Sequence, residues 1–244
     1  MTFNKESYAM KQTIPADTLQ CVYCGSESPT TRDHIPPKCL FASPRPNDLV
    51  TVPACKSCNE AYSKDDEYFR LTLSFRCDTG RDRNASAASS AAIRQLQRHE
   101  GRAFREVFFR GVQKISLVPE ALEPVETGVY DVDTKRLNHV CRRIVMGLYA
   151  HHFGKRVPDS CSTDASCVDG LNINNRERLA EFKGLLQWFE GREWQNIGDG
   201  SFCYSFLRVK DCDDFPNSSL WLLLFYGKIL FLGKTLDFPN DKGA

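Results

Sequence analysis

The chain has 244 residues, of which 41% are hydrophobic and 11% aromatic, enough apolar material for a substantial core and too much for an intrinsically disordered protein. Its formal net charge of +1 is weak for a protein that grips a polyanion along its whole length, although residues 1–114 carry 17 Lys+Arg against 13 Asp+Glu and the remainder 15 against 18. No apolar run reaches the ~18–20 residues of a membrane helix, the longest (220–232) being broken by Gly227-Lys228, so a soluble protein is expected. Eleven cysteines, an odd number, with no secretory h-region at the start, fit a reducing cytoplasm better than a disulfide framework.

The first informative feature in chain order is a pair of Cys-x-x-Cys units, Cys21/Cys24 and Cys55/Cys58. Thiolates two residues apart reach one small cation together, and two such pairs supply the four soft ligands of a closed tetrahedral Zn²⁺ site with bonds of roughly 2.3 Å. A closed site has no open coordination position, so reacting groups are sought in the segment it encloses. There, 30–35 and 49–52 read as two short strands and 59–69 as a polar helix. Asp33 and His34 lie side by side in the first strand, where neighbours point to opposite faces. They serve one site only if the backbone bends there, and Pro36-Pro37 is the candidate cause.

Taken together, the first knuckle, Asp33-His34 with Ile35-Pro36 after it, the apolar stretch 49–52, the second knuckle and Asn59 resemble the HNH endonucleases over about fifty residues. The resemblance implies a ββα-metal core and metal-dependent hydrolysis of DNA, with RNA as the alternative substrate, leaving 5′-phosphate and 3′-hydroxyl ends. Restriction, phage defence, mobile elements and phage nucleases are its settings. His34 is then the general base, because an imidazole with an ordinary pKa of about 6.5 accepts a proton near neutral pH. Asp33 and Asn59 are the expected ligands of a hydrated Mg²⁺ or Mn²⁺. The family's middle asparagine is replaced here by Asp48, with Asn47 before it, so both belong to the candidate site. Two other classes compete: a zinc-dependent nucleic-acid-binding module without catalysis, and a structural or interaction protein.

Beyond the knuckles, Lys64-Asp65-Asp66-Glu67 reads as a solvated helix face, and 78–92 as a loop leading into a long helix that ends near Ile115. Arg94, Arg98, Arg102 and Arg105 recur at intervals of four, four and three, placing them on one helical face that either follows a phosphate backbone or is simply solvated. Residues 119–128 read as a connector. Leu137, Val140, Cys141, Ile144, Val145 and Leu148 mark an amphipathic helix, with His151-His152 a satisfied pair at its end. A loop over 158–170, a helix over 176–190 and an antiparallel sheet built from 202–209 and 220–232, with a turn at Tyr226-Gly227-Lys228, complete the chain. The expected class is α+β: a zinc-stapled ββα module (1–77), a linker with a basic helix (78–128), and a helical plus β region (129–244). A protein partner or a homodimer contact is expected through residues 115–244.

Overall fold

The computed structural model describes residues 20–27, 31–76, 78–97, 106, 112–117, 125–168, 176–209 and 215–238. Strand β1 (Thr31–Ile35) pairs antiparallel with β2 (Val50–Ala54), with Asp33 opposite Val52 and His34 opposite Thr51. Two helices follow, α1 (Lys56–Ala61) and α2 (Ser63–Ser74), meeting at Tyr62, so the single helix expected over 59–69 begins earlier, is divided, and runs further. Helix α3 (Arg83–Leu96) occupies most of the segment expected to be a loop. Alanine is the strongest helix former, and Asp82 accepts the Ala85 amide at 2.9 Å as an N-cap, so Ala/Ser content extends the helix here.

Strand β3 (Gln113–Leu117) pairs antiparallel with β4 (Val125–Val129), so a strand stands where the long helix was expected to end near Ile115 and another at the end of the expected connector, of which residues 119–124 lie outside the described residues. Arg98, Arg102 and Arg105 lie outside the described residues. Helix α4 (Thr134–Phe153) is capped at both ends: Asp133 accepts from the Lys135 and Arg136 amides, and Gly154 takes a left-handed φ of 66°. Then come β5 (Cys161–Cys167), α5 (Arg176–Gln187), β6 (Gln195–Ile197), β7 (Phe202–Arg208), β8 (Ser219–Phe225) and β9 (Ile229–Asp237). The five strands form one antiparallel sheet in the order β5-β9-β8-β7-β6. The small, polar sequence of β5 hides it as a loop, but as an edge strand it pairs along its whole length with β9.

The fold is therefore α+β with a small C-terminal antiparallel sheet, and α4 is its pillar. Its buried residues, among them Val140, Ile144, Val145 and Leu148, belong to one core cluster with Ile35, Val52 and Phe69 on one side and Trp221, Leu223 and Phe231 on the other. That core crosses the segment limits expected at 77 and 128. Glycine permits the two closest approaches. A β-carbon on Gly147 of α4 would stand 2.6 Å from Ile35 Cδ1 of β1, and one on Gly233 of β9 would run into Val145 of α4. The sheet's second face is covered by α5 through Leu185 and Leu186, next to buried Phe189, Leu207 and Leu222.

A fully buried charge sits inside this core. Arg143 of α4 is fully buried; its Nη2 donates to both carboxylate oxygens of Asp66 on α2 at 2.8 and 2.9 Å, and its Nε lies 3.4 Å from Asp33 Oδ2 on β1. The guanidinium also lies 4.5 Å from the Tyr62 ring centroid. Next to it, Asp65 pairs with Arg136 at 2.7 Å and His139 at 2.9 Å, so two carboxylates of the run expected to be solvated instead tie α2 to α4. Removing one member of a buried pair leaves uncompensated charge, which costs about 3–5 kcal/mol. Arg143→Met, similar in length but neutral, should lower unfolding free energy by that amount in a denaturant titration; a loss below ~1 kcal/mol would contradict this account.

Candidate metal centre and hairpin site

The first knuckle is a tight turn ahead of β1: the Gly25 amide donates to Cys21 O and the Cys21 amide to Ser26 O, both at 2.8 Å, and Gly25 adopts φ +75°. The Val22 amide donates to Pro53 O at 3.1 Å, hanging this turn on β2. The second knuckle joins the end of β2 to α1. As a result the four sulfurs of Cys21, Cys24, Cys55 and Cys58 lie within 4.8 Å of one another, with Cys24 and Cys55 at 3.7 Å. Zinc bonds of about 2.3 Å place tetrahedral sulfurs about 3.8 Å apart, so the donor set fits one Zn²⁺ in number, softness and spacing.

The thiols are already perturbed. The Ser57 hydroxyl at 3.2 Å, with help from Cys58, pulls the Cys55 thiol down to about 6, while burial, then Cys55 and Cys24, push the Cys58 thiol up. Four sulfurs this close share protons poorly, and a divalent cation that displaces those protons relieves the crowding. Among the described residues, no other group of three or more His, Cys, Asp and Glu side chains converges in this way.

The hairpin distributes the other expected site residues over two faces. The β1–β2 ladder is regular from Thr31 to Ile35, so the bend needed to bring Asp33 and His34 onto one side is not present. Asp33 turns inward. Its Oδ2 accepts from Tyr23 Oη at 2.6 Å and meets Arg143, and its Oδ1 accepts the His34 amide at 2.9 Å. Burial, followed by the charge of Asp33, raises the Tyr23 phenol well above its ordinary value, so it stays a donor. Asn59 of α1 donates through Nδ2 to Thr31 Oγ1 at 3.1 Å, on the strand face that Thr31 shares with Asp33. A hydrated Mg²⁺ does not fit this arrangement: the carboxylate is enclosed, already has a cation in Arg143, and has only an amide on its face from the expected ligand pair.

His34 lies on the opposite face, half-buried, with Arg32 beside it. Arg32 is held there by Thr51, Nε donating to Oγ1 at 3.0 Å and Nη2 to the carbonyl at 3.1 Å. Burial, and then the charges of Lys38 and Arg45 over a smaller opposite pull from Asp33, move the His34 pKa below its ordinary value. Among the described residues, neither expected middle residue is seen hydrogen-bonded to the ring. Asp48 accepts the Gly198 amide at 3.3 and 3.4 Å, latching the β1–β2 loop to the turn before β7, and Asn47 is exposed. Tyr23 and Arg143 were not among the residues singled out from the sequence. The available signal was a charge on the buried arc of α4, three residues past Val140 and four before Gly147.

No protein-family model matches the chain, and no curated protein and no solved structure is similar to it. Cys58→Ser should reduce the zinc content of the purified protein from about one per chain to near zero and lower its melting temperature, because metal-ligand free energy becomes folding free energy. Elemental analysis decides this: a folded wild-type protein without zinc would contradict the assignment.

Proposed function

We propose that the chain is a zinc-stapled endonuclease that resembles the HNH enzymes in its knuckles and its histidine but not in its metal shell, acting on nucleic-acid phosphodiesters with His34 as general base. One observation carries the reading: a hairpin and helix closed by four converging cysteines presents a half-buried imidazole among Arg32, Lys38 and Arg45. A lowered pKa keeps that imidazole neutral at pH 7, able to take a proton from water as the water's oxygen attacks phosphorus. The 3′-oxygen then leaves and takes a proton from solvent water, giving 5′-phosphate and 3′-hydroxyl ends, and the imidazolium returns its proton to solvent. Magnesium has no carboxylate waiting on this face, so the three basic side chains supply the positive charge that offsets the developing charge on phosphate oxygens. DNA is the expected substrate.

The inward turn of Asp33 favours a second reading, a zinc-dependent nucleic-acid-binding module without hydrolysis, in which the same cations hold the backbone. Nicking of supercoiled plasmid, with and without added Mg²⁺ or Mn²⁺, separates the two. His34→Ala should slow nicking by ~10²- to 10⁴-fold with zinc content unchanged; salt-dependent plasmid binding without nicking would establish the second reading instead. Cleavage should be level near pH 7 and fall as pH drops through a value below 6.5, because protonation removes the base. A profile still rising above pH 7 would exclude His34 from that role.

A further inference from the structure

A cation set against the first knuckle comes from the turn after the C-terminal end of α4. Arg156 follows Gly154 and precedes the buried Val157, which anchors this turn in the core. Its guanidinium lies flat against the glycine that closes the knuckle: a β-carbon on Gly25 would stand 3.3 Å from Arg156 Cζ, 3.4 Å from Nη1 and 3.5 Å from Nε. Asp159 accepts from both terminal nitrogens, 3.0 Å from Nη1 and 2.5 Å from Nη2. The Nε is buried and has no hydrogen-bond partner among the described residues, a costly state for a charged donor.

The missing partner is explained by what the four sulfurs become when they hold zinc. Four thiolates around one divalent cation carry a net charge of −2. Such a centre seeks compensating positive charge and N–H donors, because groups around a metal's ligands tune its affinity as the ligands do. After Asp159, the groups favouring the charged form of Arg156 include Cys24 and Cys21. We propose that Arg156 is the counter-charge of the zinc–tetrathiolate centre, a positioning residue that makes metal retention depend on the turn after α4 docking against the first knuckle. The inference rests on the four-sulfur zinc assignment.

The test is the rate at which full-length, zinc-loaded protein gives up its metal to a chromogenic chelator, after elemental analysis of each variant. Arg156→Gln should release zinc about 10- to 100-fold faster than wild type. Arg156→Lys keeps the charge and should fall between the two; Asp159→Asn leaves the guanidinium in place and should release zinc at the wild-type rate. Wild-type release from a folded Arg156→Gln protein would overturn the proposal. So would equal effects of Gln and Lys, which assign the loss to packing, or an Asp159→Asn effect as large as that of Arg156→Gln, which assigns it to the surface ion pair. A wild-type protein without zinc overturns the four-sulfur assignment itself, whereas zinc present with Arg156→Gln silent removes only the role of Arg156.

Discussion

The buried guanidinium of Arg143 is the constraint on which the arrangement of the hairpin depends. Its charge is compensated only if Asp33 of β1 and Asp66 of α2 both face α4. Buried ion pairs add little net stability compared with a well-packed apolar core, because desolvation offsets the attraction; their stronger effect here is on specificity. A strand shifted by one residue exchanges its two faces. With Arg143 in place such a shift would bury His34 and expose Asp33, leaving the guanidinium without half of its compensation. One charge in the second half of the chain thus decides which member of the Asp33-His34 pair meets solvent.

The N-terminal hairpin and the C-terminal sheet are joined in other ways too. Tyr226 donates to Leu40 O at 3.0 Å, Asn84 bridges the Ala42 amide and the Ser201 hydroxyl, and Asp48 takes the Gly198 amide. These bonds hold the β1–β2 loop, which carries Lys38 and Arg45, against the β6–β7 and β8–β9 turns. The position of the loop that carries Lys38 and Arg45 is therefore set partly by residues more than a hundred places away, and the hairpin is not a detachable unit with its own core. At the opposite end Arg156 does the same for the first knuckle.

What could be read in the sequence follows from how local each feature is. The cysteine spacing is local, and so is the apolar periodicity of α4; both point to the elements that form. Strand β7, and β8 apart from Ser219, lie inside the aromatic and branched segments that mark them. By contrast β5, with the sequence Cys-Ser-Thr-Asp-Ala-Ser-Cys, has no apolar alternation and becomes a strand only because β9 offers it an edge. Helix α3 went unread because alanine and serine suit a loop composition as well as a helix. The orientation of Asp33 could not be read locally either, since its two inward partners lie on the first knuckle and on α4.

In the proposed function a zinc ion held by the four sulfurs has a structural role and takes no part in the chemistry, which would leave His34 as the reacting group. X-ray absorption at the zinc edge of the purified protein tests this most directly. It should report four sulfur neighbours at about 2.3 Å and no oxygen or nitrogen in the first shell. A mixed shell with an oxygen ligand would mean an open position at the metal, and would move the chemistry from the hairpin face to the zinc itself.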